Sequence, residues 1–251
     1  MNKNILITGA TSGIGYATAV ELAQLQYNLI ITGRRTQRLQ NLKEELEAQY
    51  GIKVLALTFD VRNKEEVETA LENLPDAFAP IDGLINNAGL AAGLDFFHEG
   101  DTNDWDTMID TNVKGLLYVA KIVSQKMVAR KQGHIINISS IAGKQSYDKG
   151  GVYCATKHAV EAITKNMRID LLPHGIKVSS VSPGAVKTEF SEVRLKSKEK
   201  AKDVYNGYTP LEAKDIAESI VFILTRPPHV NINDILIMPT AQADAFHTHK
   251  N

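Results

Sequence analysis

A tyrosine and a lysine one helical turn apart are the residues of this sequence best suited to chemistry. Tyr153 and Lys157 lie in a segment whose apolar residues recur at helical intervals, so their side chains share one face. A free phenol titrates near pH ~10, and we expect the neighbouring ammonium to lower the pKa of Tyr153. Such a pair can act as a general acid–base that exchanges a proton with an alcohol or a carbonyl oxygen. Taken alone, a tyrosine and a lysine that lie on one helix by chance is the stronger interpretation, and the motifs below decide between the two.

The first segment of the chain has the pattern of a phosphate-binding turn. A short apolar strand over residues 5–8 leads into Gly9, Gly13 and Gly15, and a helical pattern follows. Glycines let the backbone approach a pyrophosphate, and a helix N-terminus favours the negative charge. The spacing is Gly-x3-Gly-x-Gly rather than the commoner Gly-x-Gly-x-x-Gly, so a turn that only links strand to helix is the alternative.

Two arginines follow the second predicted strand, residues 29–32. A site selective for NAD would have Asp or Glu near this position, to hold the ribose 2′-hydroxyl. Arg34 and Arg35 are found there instead, and guanidinium groups suit a 2′-phosphate. The sequence therefore predicts NADP as the cofactor, with solvated arginines at a helix start as the alternative.

Strands and helices alternate along the whole chain. Further strands are predicted at residues 54–59, from residue 82, and at 133–140, 176–182 and 235–238, and Asn63 is expected to cap a helix over 64–77. This α/β pattern predicts a Rossmann-like, doubly wound and mostly parallel sheet with helices on both faces. We see no linker or repeat, so one domain over residues 1–251 is expected.

Composition argues against several classes of protein. The net charge is −1, so no basic surface indicates binding to nucleic acid. The one cysteine, Cys154, rules out an internal disulfide and fits a reducing compartment. No apolar leader precedes the first strand pattern, and no long apolar run indicates a membrane span. We therefore expect a cytoplasmic protein with a small-molecule substrate.

Several motifs occur together and in a characteristic order. They are Thr8-Gly9-x3-Gly13-x-Gly15, Asn86-Asn87-Ala88-Gly89, Asn112, Ser140, Tyr153-x3-Lys157 and Pro183-Gly184. With them the chain resembles a short-chain dehydrogenase/reductase from end to end. The resemblance implies one Rossmann-like domain with a seven-stranded sheet. It also implies hydride transfer between a nicotinamide cofactor and a carbonyl or alcohol substrate.

The resemblance assigns a role to each catalytic residue. Tyr153 is the acid–base, Lys157 lowers its pKa and holds the nicotinamide ribose, and Ser140 hydrogen-bonds the substrate oxygen. Asn112 supports a water-linked proton relay. Without the resemblance, Ser140 is a serine that caps backbone at a strand end, and Asn112 is a buried polar residue bonded to its neighbours.

The resemblance also implies which residues bind the cofactor. These are Gly9, Thr11, Ser12, Gly13, Ile14, Gly15, Arg34, Arg35, Asp60, Val61, Asn87, Ala88, Gly89, Tyr153, Lys157, Pro183, Gly184, Val186 and Thr188. Ser12 stands where some NADP-dependent members have a basic residue. Selection of NADP is therefore expected to depend on the two arginines alone.

A narrower resemblance concerns the substrate. Residues 189–194 and 229–234 are similar to the NADP-dependent 3-hydroxy acid dehydrogenases, which oxidise serine and related β-hydroxy acids. Arg194 is expected to hold the carboxylate from a lid helix over residues 192–203; a solvated lid arginine is the alternative. A 3-oxoacyl-carrier-protein or general ketone reductase would use the same catalytic residues. A non-catalytic NADPH-sensing protein would usually lack Tyr153 or Lys157.

Two further features concern metals and assembly. His247 and His249 lie in a polar tail, where histidines are usually disordered or on the surface, so we expect no metal site. The helical patterns at residues 113–127 and 153–172 are apolar on more than one side and need partners beyond one sheet. With the family resemblance, this predicts a homotetramer.

Overall fold

A seven-stranded parallel sheet forms the centre of the molecule in this computed structural model, which describes residues 3–251. Its strands are β1 (Asn4–Ile7), β2 (Asn28–Gly33), β3 (Val54–Thr58), β4 (Ile81–Asn86), β5 (Gly133–Ile138), β6 (Ile176–Pro183) and β9 (Asp234–Ile237). Their spatial order is β3-β2-β1-β4-β5-β6-β9. The predicted doubly wound sheet is confirmed. The sequence predicts no apolar leader at the start of the chain, and Met1 and Asn2 of that segment lie outside the described residues.

Successive side chains of each strand point to opposite faces of the sheet, and each face has its own apolar core. In β1, Ile5 and Ile7 belong to one apolar cluster, whereas Leu6 belongs to the other. In β2, Ile30 likewise faces away from the side that its two neighbours face. Strands buried on both faces need continuous apolar runs, and this is why these segments were recognisable from the sequence.

Helices cover both faces. They are α1 (Gly13–Gln24), α2 (Thr36–Tyr50), α3 (Lys64–Glu72), α4 (Thr102–Ile109), α5 (Leu116–Arg130), α6 (Gly151–Leu171), α7 (Phe190–Leu195), α8 (Lys198–Asp203) and α9 (Ala213–Leu224). Buried residues of α1, α2 and α9 share one core, and those of α3 and α5 share the other with Leu171 of α6. Tyr153 and Cys154 of α6 belong to a third, smaller cluster. A short parallel ribbon, β7 (Val186–Lys187) with β8 (Leu211–Glu212), lies outside the sheet.

Two predicted helices have different bounds in the structure. The helix expected over 64–77 begins as predicted, with the Asn63 side chain accepting from two backbone amides, but ends at Glu72. The helical pattern expected at 113–127 begins within a π-helical turn, Asp110–Gly115, that separates α4 from α5. This turn contains Asn112, and such wide turns are frequent at functional sites.

The predicted lid is two short helices rather than one. Lys196, between α7 and α8, has a φ of 50°, a left-handed conformation that ends the first helix. Ser197 then caps α8 by accepting from the amide of Lys200. The Lys196 ammonium lies 2.8 Å from a carboxylate oxygen of Asp104 in α4. This ion pair connects the residue between the two lid helices to α4.

The C-terminal tail is folded as well. Gln242 and Thr248 form an isolated antiparallel bridge, and the exposed His247 ring lies 2.9 Å from Asp244. Within residues 3–251, no helix combines the length and the apolar character needed to cross a membrane.

Candidate active site

The carboxyl ends of the central strands open into one cleft of about 340 Å³. The predicted residues that line it are Gly9, Thr11, Ser12, Gly13, Ile14, Arg34, Arg35, Asp60, Val61, Asn87, Ala88, Gly89, Ser140, Tyr153, Lys157, Pro183, Gly184, Val186 and Thr188. Gly15, Asn112 and Arg194 are not part of this lining. Ligands of doubly wound sheets bind at this edge, where the strand order reverses.

The glycine turn is built for close approach. Gly9 has a φ of 69° and Gly13 a φ of 55°, and L-residues with side chains rarely adopt this conformation. A Cβ on Gly15 would lie 2.4 Å from the Gly9 carbonyl oxygen, so Gly15 acts by letting α1 pack on the turn. Ser12 caps α1 but makes no side-chain cap bond within the described chain. The helix N-terminus therefore suits an anionic group.

Arg35 lies directly on this turn. Its guanidinium donates to the Thr11 hydroxyl at 2.9 and 2.7 Å and to the Ser12 hydroxyl at 2.7 Å. The remaining nitrogen lies 2.8 Å from a carboxylate oxygen of Glu189. The hydrogen bond from Arg35 holds the pKa of Glu189 below its ordinary value. The arginine is therefore preorganised beside the phosphate-binding turn, with an anion already next to it.

The other basic groups at this end are more loosely held. The Arg34 guanidinium lies 3.8 Å from a carboxylate oxygen of Asp60, and the Arg34 side chain is 59% exposed. Arg38, which the sequence reasoning missed, binds Glu189 at 2.8 Å. Its position three residues after Arg35 on α2 was a usable signal, since such residues share a helix face. Nothing local in the sequence pointed to Glu189.

Tyr153 and Lys157 lie at the buried end of the cleft, on α6. Only 8% of Tyr153 and 6% of Lys157 is exposed. The Lys157 ammonium donates to the Ile138 carbonyl at 2.9 Å and lies 6.0 Å from the centre of the Tyr153 ring. The predicted sharing of one helix face is therefore confirmed.

The expected lowering of the Tyr153 pKa is wrong for the protein on its own. Burial raises the pKa of Tyr153 well above its ordinary value, and the phenol of Tyr147 adds to this effect. The hydrogen bond with Ser140 and the charge of Arg194 act in the opposite direction without reversing it. Tyr153 is therefore held as a neutral proton donor.

Lys157 responds to the same burial in the opposite sense. Burial lowers the pKa of Lys157 to about 8, and the carboxylate of Glu161 partly counters this shift. Lys157 was expected to shift the pKa of Tyr153, but its own pKa is shifted by its surroundings.

Asn112 anchors the loop that follows β4. Its side chain accepts from the Leu90 amide at 2.8 Å and donates to the Leu90 carbonyl at 2.8 Å and to the Thr156 hydroxyl at 3.1 Å. A Cβ on Gly89 would lie 3.2 Å from the Asn112 carbonyl oxygen and 3.5 Å from the Lys157 ammonium. Asn112 therefore holds this loop beside Lys157, and its proton-relay role stays a prediction.

Arg194 points from α7 toward the catalytic tyrosine. Its guanidinium donates to the Tyr147 hydroxyl at 3.0 Å and lies 5.6 Å from the centre of the Tyr153 ring. Its Nε and Nη2 atoms are buried and have no hydrogen-bond partner within residues 3–251. Buried donors are normally paired, so this arrangement suits an anionic ligand. Tyr147 was missed, because a single tyrosine in a loop carries no spacing signal.

Comparison with known proteins agrees with this geometry. Residues 3–199 match the short chain dehydrogenase family. The chain is 45% identical over 243 residues to an NADP-dependent 3-hydroxy acid dehydrogenase of Salmonella typhi, with 96% of each chain covered. It is 43% identical over 245 residues to a sulfoacetaldehyde reductase of Chromohalobacter salexigens, covering 97% of this chain and 96% of that one.

A solved structure is similar over the whole fold. The closed form of a serine dehydrogenase complexed with NADP+ superimposes with a TM-score of 0.93 at 42% identity, covering 99% of this chain and 100% of that one. The glycine turn, the Tyr153–Lys157 pair and these matches lead to one conclusion. The chain belongs to the short-chain dehydrogenase family.

Proposed function

We propose that this protein is an NADP(H)-dependent oxidoreductase of short hydroxy acids that carry an anion near the reacting hydroxyl, with 3-hydroxy acids such as serine as the main class. One observation carries the substrate part of the proposal. Arg194 brings two buried, unpartnered nitrogen donors to the side of Tyr153. A carboxylate would satisfy both, and such charge-assisted pairs are strong and directional.

The cleft fits a dinucleotide with a 2′-phosphate. The glycine turn and the N-terminus of α1 would hold the pyrophosphate, and Arg35 with Arg34 would hold the 2′-phosphate. When bound, NADP(H) supplies the hydride that is exchanged with the substrate carbon. Lys157 and the segment from Pro183 to Thr188 would hold the nicotinamide end.

The proton chemistry falls to residues of this chain. Tyr153 is kept protonated by burial, so it can give its proton to the oxygen of a carbonyl that is being reduced. The phenolate that forms is stabilised by two cations, Lys157 and Arg194, which lie 6.0 and 5.6 Å from the ring centre. Ser140, whose hydroxyl is hydrogen-bonded to that of Tyr153, would hold the substrate oxygen. In the oxidation direction the same groups act in reverse.

Sulfonates are a second candidate class. The relative from Chromohalobacter salexigens is named as a sulfoacetaldehyde reductase. In a 3-hydroxy acid and in a 2-hydroxyethanesulfonate, one carbon separates the carbinol carbon from the atom that carries the anionic oxygens. The Arg194 donors would accept oxygens of either group, so charge alone does not select between them.

The test compares charged and uncharged substrates in one enzyme. Wild-type protein is assayed with NADP+ and with NAD+ against serine, 3-hydroxypropanoate, 2-hydroxyethanesulfonate and 1-propanol. We expect NADP+-dependent oxidation of at least one anionic substrate. For Arg194→Ala we expect the KM of that substrate to rise by roughly tenfold or more, the loss of one charge-assisted hydrogen bond, with 1-propanol little affected.

Lys196→Ala is the matched control for this test. It removes a lid cation two residues away, whose partner is Asp104 rather than the Tyr147–Tyr153 region. Equal losses for charged and uncharged substrates in Arg194→Ala would mean a general lid defect. Activity confined to the uncharged 1-propanol would favour a 3-oxoacyl-carrier-protein or general ketone reductase. NADPH binding without turnover of any carbonyl would favour the sensing protein.

We also propose that the protein is a cytoplasmic homotetramer. Leu117 on α5 and Ile169 on α6 are 41% and 67% exposed, and Leu172, which follows α6, is 72% exposed. Exposed large apolar side chains on two helices whose sequence patterns are apolar on more than one side support an interface between copies. Light scattering of the purified protein tests the number of chains.

A further inference from the structure

A charged cluster centred on the buried Glu161 lies next to the catalytic pair, outside the cleft. The carboxylate of Glu161, a residue only 6% exposed, receives the Lys144 ammonium at 2.7 Å and the Ser182 hydroxyl at 2.9 Å. Lys144 also pairs with Asp234 of β9. A carboxylate taken out of water is stable only with such partners. The Tyr153 and Ser140 chemistry does not itself require this cluster.

The cluster joins three segments that carry the active site. Lys144 lies four residues after Ser140, and Glu161 lies four residues after Lys157 on α6. Ser182 directly precedes the Pro183-Gly184 segment of the cleft. Glu161 therefore connects the α6 helix to the segment after Ser140 and to the end of β6, through residues that do not line the cleft.

Glu161 is also the nearest anion to act on the catalytic lysine. Residues four apart on a helix share a face, and Glu161 opposes the effect of burial on the pKa of Lys157. The other groups that face Lys157 are neutral: the Tyr153 phenol on its own helix, the Ile138 carbonyl of β5, and the Asn112 amide of the π-helical turn.

The charge of Glu161 is shared with cations on its other side. Lys144 binds it directly, and Arg168, further along α6, interacts with both Glu161 and Asp234. The negative field that reaches Lys157 is therefore what remains after Lys144 and Arg168 have partly neutralised the Glu161 carboxylate. Removing Lys144 should strengthen that field, and removing the Glu161 charge should abolish it.

We propose that Glu161 is a positioning residue of the catalytic pair: held by Lys144 and Ser182, it keeps Lys157 charged as an ammonium at working pH and fixes α6 against the loops of the cleft. The proposal rests on the proposed function, in which the Lys157 ammonium stabilises the Tyr153 phenolate. It adds a reason why a deeply buried lysine keeps its proton.

Two substitutions that should shift the pKa of Lys157 in opposite directions test the proposal. In the reduction direction, activity at high pH is lost when Lys157 loses its proton, because Lys157 titrates near 8 whereas burial keeps Tyr153 protonated to higher pH. Glu161→Gln should move this alkaline limb of kcat/KM down by about one pH unit. Lys144→Met should move it up by about half a unit. Glu161→Asp, which keeps the charge, should stay near the wild type.

A second measurement needs neither substrate nor cofactor. Lysine 13Cε NMR follows the titration of each amine, and the signal missing from Lys157→Met assigns Lys157. Its midpoint should fall in Glu161→Gln and rise in Lys144→Met, while Glu218→Gln, an exposed glutamate of α9, should leave it unchanged.

The outcomes separate the two proposals. If the wild type reduces no carbonyl, the proposed function fails, but the NMR midpoints still decide the role of Glu161. An unmoved Lys157 midpoint in Glu161→Gln, or shifts of the same sign in both variants, would overturn the inference even in an active enzyme. If Glu161→Gln does not fold, the upward shift in Lys144→Met remains decisive.

Discussion

The two ends of the cleft both carry cations, but in different surroundings. At the arginine end, the side chains of Arg34, Arg35 and Arg38 are 59%, 41% and 49% exposed. At the catalytic end, Tyr153 and Lys157 are almost completely buried. The comparison separates two proposed tasks: the exposed end would select a ligand by charge, and the buried end would control the position of a proton.

Exposure to solvent determines how much free energy the charged groups at each end of the cleft contribute. Exposed ion pairs contribute about 0–1 kcal/mol and are weakened by salt. Burial shifts pKa values by whole units, and each unit corresponds to about 1.4 kcal/mol. Substitutions at the buried end should therefore have larger effects, and these effects should depend on pH rather than on salt.

The largest effect is expected for Tyr153→Phe. The ring and its packing remain, but the proton donor is lost, so turnover should fall by a factor on the order of 10² or more. NADPH binding, measured by fluorescence titration, should change little, because most of the cofactor-binding residues lie elsewhere in the cleft. Near-normal turnover would contradict the assignment of Tyr153 as the acid–base.

The second largest effect concerns stability. Lys157 has a folded pKa of about 8 against an ordinary value of 10.5, so at pH 7 its charge costs the folded state roughly 3 kcal/mol. Lys157→Met removes this cost but leaves the Ile138 carbonyl unpaired, a loss of about 1 kcal/mol. We expect the inactive variant to be more stable by about 2 kcal/mol and to melt several degrees higher, by roughly 4–8 °C.

The stability difference between Lys157→Met and the wild type should depend on pH in a defined direction. A group with a lowered folded pKa destabilises the protein fully below that pKa, and the penalty disappears as pH rises through the unfolded value. The stability difference between Lys157→Met and the wild type should therefore be constant below pH 8 and shrink between pH 8 and 10.5. A difference that is independent of pH over this range would assign the gain to packing.

Regular patterns made most of the fold predictable. The strands were found because burial on both faces requires apolar runs such as residues 5–7 and 29–31. The cap at Asn63 and the shared face of Tyr153 and Lys157 follow from local geometry alone. The glycine turn was found for the same reason, since its chemistry lies in consecutive residues.

What the sequence did not reveal depends on distant residues. The π-helical turn contains Asn112, whose side chain bonds the distant Leu90 backbone, and no local pattern encodes this contact. The direction of the Tyr153 pKa shift was misjudged because burial, an effect of the whole fold, outweighs one neighbouring charge. The contacts of Glu161 and Glu189 join segments that are far apart in the chain, so neither residue carried a signal.

At the exposed end, Arg35→Ala should weaken NADPH binding by about tenfold at low salt and leave NADH binding unchanged. The reason is that Arg35 is fixed on the glycine turn by the Thr11 and Ser12 hydroxyls. Because the site is open to solvent, the preference of the wild type for NADPH over NADH should fall as ionic strength rises. Arg226→Ala, at the distant end of α9, is the control. A wild type that binds both cofactors equally would contradict the role of the arginines.

The smallest effect tests whether Glu189 competes with the cofactor. Its carboxylate, on a side chain that is 45% exposed, lies 2.8 Å from both Arg35 and Arg38, where these arginines would receive a phosphate. Like charges repel, so Glu189→Gln should tighten NADPH binding by about threefold at low salt, in line with an exposed ion pair. NADH binding, which involves no 2′-phosphate, should not change, and high salt should remove the gain. Weaker NADPH binding in Glu189→Gln would instead show that the carboxylate orders the arginines for the phosphate, and the exposed end would then be preorganised in the same manner as the buried one.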